Sequence, residues 1–145
     1  MNKGSIYRIS TSAEMGQKKS NVERVRLDVK RGIIGDAHGT TVRQVSLLPI
    51  ESFVKVAHPD LHVQPGDFAE NITTQGLDFQ QIQVGTRLKI GASARLEVIQ
   101  IGKECHRGCV IRQTVGDCIM PREGIFAKVL AGGEAALGDE IEIEP

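Results

Sequence analysis

Val84-Gly85-Thr86-Arg87-Leu88-Lys89-Ile90 and, further on, Leu137-Gly138-Asp139-Glu140-Ile141-Glu142-Ile143 repeat one pattern: an apolar residue, a glycine, a polar turn, then alternation of charged with apolar side chains. Alternation with a period of two turns one face of a strand toward a core and the other toward water, and glycine supplies the turn that precedes it. Two copies are too few for a solenoid, which needs at least three to bury a continuous core. They read instead as two similar turn-strand corners of one barrel.

The same grammar extends in both directions. Ser5 to Ser10 reads as a first strand, and Val25, Leu27 and Val29 alternate with Arg26 and Asp28 in a second. Val45 to Leu48 is a compact apolar strand, Phe68 to Thr74 a strand carrying the polar Glu70 and Asn71, and Leu96, Val98 and Gln100 prolong the sheet. Ile125 to Leu130 runs into a turn at Gly132-Gly133. Pro49 suits the first position of a short helix through Ile50, Phe53, Val54 and Ala57, which His58-Pro59 ends. Thr11 to Asn21 is a polar loop, and residues 1–20 are expected to be partly mobile. Many short strands, 16 glycines and no long helical periodicity predict a mainly β, single-domain β-barrel over residues 1–145 with a few short helices.

Composition bounds the function. Eighteen basic residues balance eighteen acidic ones, so no global field draws the chain to nucleic acid or an anionic membrane, and an anion site has to be a local pocket. Four Phe, one Tyr and no Trp leave a core of Val, Ile and Leu and no aromatic platform for stacking bases. The first residues hold no apolar signal core and no run approaches the roughly 18 apolar residues of a membrane span, which predicts a cytoplasmic protein. An odd number of cysteines bunched toward one end is no disulfide framework, so thiols are expected.

Those three cysteines share the stretch Gln100 to Gly124 with Lys103, His106, Arg107, Arg112 and Arg122. Cationic neighbours favour the thiolate, the form that binds metals and attacks electrophiles. Buried structural thiols are the plain alternative, but Cys105 and Cys109 stand among charged residues and glycine and not within an apolar run. The spacing Cys-x3-Cys-x8-Cys supplies one clear pair where a closed zinc site needs two, and it suits a single thiolate on a soft metal or a persulfide carrier better. Three further constellations could serve such a thiol. Gly35-Asp36-Ala37-His38-Gly39 with Arg43-Gln44 offers converging backbone N–H groups and a guanidinium fork matched to phosphate. Gly66 to Thr73 holds Asn71, whose amide both donates and accepts, and Met120 to Phe126 holds Arg122 beside the rigid Pro121. Each alone reads equally as a solvated turn or a polar strand position.

Together, and in this order, these residues resemble the MOSC domain, the family named for the C-terminal domain of molybdenum cofactor sulfurase. The resemblance runs from about Asn21 to Glu144 through Gly35-Asp36-x-His38-Gly39, Arg43-Gln44-Val45-Ser46-Leu47-Leu48, Pro65-Gly66-Asp67-Phe68-Ala69-Glu70-Asn71-Ile72-Thr73-Thr74-x-Gly76-Leu77, Val84-Gly85-x-x-Leu88-x-Ile90-Gly91 and the cysteine stretch. It is closest to the small stand-alone bacterial type. It implies a β-barrel that binds molybdenum cofactor (molybdopterin), or handles its sulfur, through one central cysteine. Members in which the ligating cysteine precedes an Ile-Leu-Thr-Thr-Val-Asp-like run point to Cys109 as the molybdenum ligand, and members with Gln close before a Pro-Cys pair point to Cys105. Cys118 lies outside the family pattern, and Ala69-Glu70-Asn71 stands where the family often has Gly-Glu-Asn.

His38, Arg43, Asn71, Lys103 and Arg122 become the candidates for gripping the pterin and its phosphate. Implied partners are the pterin cofactor, cofactor-biosynthesis proteins or apo-molybdoenzymes, and pyridoxal phosphate binding is a family-level association. The resemblance leaves open a carrier or sulfurtransferase, a molybdenum-dependent reductase of N-hydroxylated compounds, and a non-catalytic partner in cofactor assembly.

Overall fold

The structure, a computed structural model, describes residues 3–14, 19–56, 64–102 and 124–144. Its strands are β1 (Lys3–Thr11), β2 (Ser20–Val22), β3 (Arg24–Asp28), β4 (Gly32–Ile33), β5 (Val45–Pro49), β6 (Ile72–Gln75), β7 (Arg87–Ile90), β8 (Ala94–Ile101), β9 (Ile125–Ala131), β10 (Gly133–Ala136) and β11 (Glu140–Ile143). Short 3-10 helices occupy Ile50–Val56 and Phe79–Gln81. Seven strands close into a barrel in the order β1-β11-β7-β8-β9-β5-β6, as the glycine-punctuated alternation predicts. Every pairing in that ring is antiparallel except β5 with β6.

The two similar corners are neighbours. Ile90 lies opposite Ile141 and Leu88 opposite Ile143 where β7 pairs with β11. The turns that feed these strands hold Gly85 at φ 95° and Gly138 at φ 85°, backbone that a side chain would strain. Inside the ring sit Leu88, Ile90, Leu96, Val98, Ile125, Ala127, Val129 and Ile141, and Val25, Leu27, Ile33 and Ala135 of the separate β10-β3-β4 sheet join the same core.

The face of the barrel outside β5 and β9 is also covered. On β9, Ile125, Ala127 and Val129 belong to the core while Phe126, pointing the other way, is buried too. All five residues of β5 are buried, the polar Ser46 included, as in a strand covered on both sides. The 3-10 helix Ile50–Val56 packs on β5 and β6. Its Phe53 meets Phe68 edge to face, with ring centroids 5.1 Å apart.

The structure amends four local expectations. The helix after Pro49 is 3-10, and Pro49 itself ends β5. Val29 is exposed, beyond the end of β3. The strand expected over Phe68 to Thr74 begins only at Ile72, because Ala69 takes φ 61° and breaks the extended run. The polar loop over Thr11 to Asn21 is framed by strands, with Thr11 ending β1 and Ser20 opening β2, and its residues 15–18 lie outside the described ones.

Facing decides the effect of truncation. Leu96→Ala, inside the barrel, should lose about 2–5 kcal/mol of unfolding free energy in urea titrations, whereas Leu130→Ala, on the outward side of β9, should stay within about 0.5 kcal/mol. Equal losses would contradict the assigned faces.

Candidate functional site

Two of the four constellations are fully described, and the chain fastens them together. The Gly35–Gly39 turn follows β4, and Gly39 is required there: a Cβ on it would stand 1.9 Å from the Arg31 carbonyl oxygen. Asp36 is enclosed and hydrogen-bonded on both oxygens. Its Oδ1 accepts from the Ser12 N–H at 3.0 Å and from Lys19 Nζ at 2.7 Å, and its Oδ2 accepts from the His38 N–H at 3.1 Å. Burial alone would raise this carboxyl, but the Lys19 ammonium together with the Ser12 and His38 amides outweighs it and holds Asp36 below the ordinary carboxylate value.

Lys19 is the residue that the sequence reading missed. Lys18-Lys19 looks like a solvated pair in a polar loop, yet both the Lys19 and Asp36 side chains are 0% exposed. Its main-chain N–H donates to the Gly66 carbonyl at 3.0 Å, so one residue ties the Gly35–Gly39 turn to the Pro65–Thr73 loop. The approach is close enough that a Cβ on Gly66 would sit 2.3 Å from the Lys19 carbonyl oxygen. Nothing beside Lys19 in sequence signals this, since its partner arises in a distant turn.

Asn71 lies where β5, β6 and β1 meet, and it is 1% exposed. Its Oδ1 accepts from the Ser46 N–H at 3.0 Å and from Ser46 Oγ at 3.3 Å, and its Nδ2 donates to the Ser10 carbonyl at 3.2 Å. The side chain expected to face a heterocycle is therefore engaged in joining three strands. Glu70, next to it, is also enclosed, accepting from Thr73 Oγ1 at 2.8 Å and from the Phe68 N–H at 3.3 Å. Burial dominates over the hydrogen bonds that Glu70 accepts and raises its carboxyl above its ordinary value, with no cation against it among the described residues.

Arg43 is exposed, and its guanidinium carbon stands 5.4 Å from the centroid of Phe126. The neighbouring Gln44 holds the loop in place, donating from Nε2 to the Val29 carbonyl at 2.9 Å and accepting from the Val129 N–H at 2.8 Å. Phe126 lies just past Gly124, where the chain returns from the cysteine stretch. The two ends of that stretch are pinned together by the Gly102 N–H donating to the Gly124 carbonyl at 2.6 Å, beside the pair Ile101 and Ile125. Cys105, Cys109, Cys118, Lys103 and Arg122 themselves lie outside the described residues. Among the described residues no group of three or more His, Cys, Asp or Glu is arranged to hold a metal.

A cavity of about 490 Å³ also reaches Ile101 and Ile125, bordered by Pro49, Leu77, Phe79 and Ile82. Its described charged residues are the carboxylates Glu51 and Asp78, so it disfavours a phosphate, which the Arg43 face suits.

Two substitutions test this construction. Ala69→Gly removes the left-handed penalty and should raise stability by about 1 kcal/mol in urea titrations. Asp36→Asn leaves Lys19 buried without its counter-ion and should lower stability near neutral pH by about 3–5 kcal/mol. Because the folded-state value of Asp36 is depressed, the parent's advantage is present above the ordinary 3.8 and is lost as pH falls through the lower folded value, so the two stability curves should converge in acid.

Comparison with known proteins agrees with the fold. The family model described as MOSC domain matches residues 35–142. The YUAD protein from Bacillus subtilis superposes with a TM-score of 0.79 at 20% identity, covering 97% of this chain and 95% of that one. YiiM from Escherichia coli gives a TM-score of 0.72 at 20% identity over 99% of this chain and 70% of that one. YiiM from Geobacillus stearothermophilus gives 0.68 at 18% identity, over 97% and 73%. No curated protein matches the chain. Among the described residues no helix is long and apolar enough to cross a membrane. A match spanning residues 35–142, most of the chain and all the described motifs from the Gly35 turn onward, makes this chain a member of the MOSC domain family, which is associated with molybdenum cofactor binding or sulfuration.

Proposed function

We propose that the chain binds molybdenum cofactor, or receives and hands on its sulfur, through a thiolate of the 103–123 segment. The observation that carries this reading is the placement of the Arg43 fork over Phe126, beside the point where the cysteine-bearing segment rejoins the barrel. A planar guanidinium seated there can take a phosphate in bidentate fashion. Cys109, with Cys105 as the alternative, is the soft ligand, and Lys103 and Arg122 flank the same segment in sequence. Asn71 contributes by fixing the strands beneath, and His38 stands at the Asp36 end of the same covered face.

When bound, the cofactor supplies the redox-active metal and its exchangeable sulfur. The chain supplies an anion grip, a soft anchor and a rigid floor. Its partners would be cofactor-biosynthesis proteins or apo-molybdoenzymes of the cytoplasm, where reducing conditions keep the thiol available.

Expression in a cofactor-competent host, followed by analysis of bound molybdenum, pterin and persulfide sulfur, tests the proposal. The parent should retain cofactor or sulfur, Cys109→Ser should abolish retention with the fold intact, and Arg43→Ala should weaken pterin retention about 10-fold or more, the loss expected for one charge-assisted contact. A parent that holds neither, or Cys105→Ser and Cys109→Ser variants that each retain as the parent does, would remove the thiolate from the mechanism.

A further inference from the structure

We propose that the outward face of the three-stranded β10-β3-β4 sheet docks an acidic segment of another protein, through Arg24, Arg26 and Arg31 around the exposed aliphatic side chain of Ile34. The stretch Arg24-Val25-Arg26-Leu27-Asp28-Val29-Lys30-Arg31 sets four cations against one carboxylate in a chain of no net charge, whereas residues 134–144 hold five carboxylates and no cation. Period-two alternation sorts the first stretch by face. Val25 and Leu27, with Ile33 and Ala135 of the flanking strands, turn inward to the core. Arg24 and Arg26 turn outward, each with 67% of its side chain exposed, and both reach toward the one carboxylate of Glu134, at 3.9 and 3.7 Å.

Strand register places an apolar group among these charges. Arg26 lies opposite Glu134 of β10, and on its other side its carbonyl accepts from the Ile34 N–H at 3.0 Å, one step beyond the pair Leu27 and Ile33. Residues directly opposite in an antiparallel pair share a face, so Ile34 stands outward beside Arg26 and is 41% exposed while its neighbour Ile33 is fully buried. Asp28 is taken up by its own turn, accepting from the Lys30 and Arg31 N–H groups at 3.0 and 2.9 Å, with Arg31 Nε 3.5 Å from the same oxygen. The separations from Glu134 are too long for hydrogen bonds, and exposed pairs of this kind hold little energy, so the forks of Arg24 and Arg26 stay open to a second carboxylate.

The chemistry of the face selects a protein. Guanidinium forks match carboxylates in geometry, and arginine is the cation enriched at protein interfaces, so forks around an aliphatic centre fit a segment that mixes carboxylates with aliphatic side chains. A nucleic acid fits worse: Glu134 and Asp28 lie within the face and would stand against closely spaced phosphates, and β3, β4 and β10 hold no aromatic ring for a base. Segregation of charge in a neutral chain then orients the encounter, because the acidic 134–144 stretch repels what the arginines attract. Ile34 also leads directly into the Gly35–Gly39 turn, and Gln44 holds the Val29 carbonyl next to Arg43, so a partner docked here would stand beside the loops of the candidate site. The inference rests on the proposed function only for which protein the partner is.

The cofactor-free full-length chain, labelled with 15N, is titrated with a short synthetic peptide alternating glutamate and leucine, and in parallel with its lysine–leucine counterpart, a thymidine oligonucleotide and phosphatidylglycerol vesicles. The glutamate–leucine peptide should shift the backbone amides of β3, β4 and β10. Its affinity should fall about 10-fold or more in Arg24→Ser/Arg26→Ser, the loss expected for charge-assisted contacts, and about 3-fold or more in Ile34→Ser, as for roughly one methylene less buried. All three positions are exposed, so the variants should keep the parent's amide spectrum away from this sheet. Absence of binding, shifts centred elsewhere, unchanged affinity in both variants, equal binding of the lysine–leucine peptide, or tighter binding of the oligonucleotide or the vesicles at this face overturns the inference. With no cofactor present, such a result leaves the thiolate reading standing, and a parent that retains neither cofactor nor sulfur leaves this face standing.

Discussion

The constraint on which the structure depends is that β1 must serve several neighbours along its length. Lys3 to Ser5 pair with β11 and close the ring, Ser5 to Ile9 pair with β6, and Ile9 to Thr11 pair with β2. A register shift between Ile6 and Arg8 reconciles these pairings with Ile6 and Ile9 both in the core. Closure leaves the barrel without an open edge, which a sheet of strands this short otherwise has to protect.

The far end of that strand then organises the site. The Ser10 N–H donates to the Asn71 carbonyl at 2.7 Å, the Ser10 carbonyl receives the Asn71 amide, and Ser10 Oγ accepts from Asn21 at 2.8 Å. Beyond it, the Ser12 carbonyl accepts from the Ala37 N–H at 2.8 Å and the Ser12 N–H caps Asp36. Loops from three separate parts of the chain are thereby hung on one strand end, and this is how motifs distant in sequence come to share a face. Two enclosed carboxylates result, with opposite dependence on pH. Asp36 is compensated by a cation and favours the folded state most when ionised. Glu70, whose described partners are neutral donors, contributes most below its ordinary 4.5 and loses that contribution as pH rises through its elevated folded value. The loop around Glu70 and the turn around Asp36 are thus stabilised under different conditions although Lys19 joins them.

The barrel was legible because period-two alternation is a local signal: Arg87 to Ile90 and Glu140 to Ile143 announce their facing without help from distant residues. The site was legible only where chemistry coincided with local conformation, as at Gly39 and Gly66, whose glycines permit close approach of backbone. Lys19 gave no such signal, because its burial depends on an acceptor set assembled from Ser12, Asp36 and His38. Phe68 to Asn71 misled in the opposite direction. Its mixture of apolar and polar residues imitates a strand, and the left-handed turn at Ala69 is visible only through the glycine that the family often has at that place. Asn71 was rightly noticed as an unusual polar residue, and its amide proved to be engaged by Ser46 and Ser10.

A chain with no net charge has to recognise an anion through local groups, and the described cations of the covered face are compensated in different ways. Lys19 is neutralised by Asp36 within 2.7 Å, and the described carboxylates Glu51 and Asp78 are grouped at the neighbouring cavity, leaving Arg43 paired with a ring in place of an acid. The Phe126 ring beneath the guanidinium limits its freedom, so a phosphate would cost this fork less ordering than it would cost a lysine tip in the same position. The ring that provides this support belongs to β9, which begins immediately after Gly124, where the chain returns from the cysteine stretch.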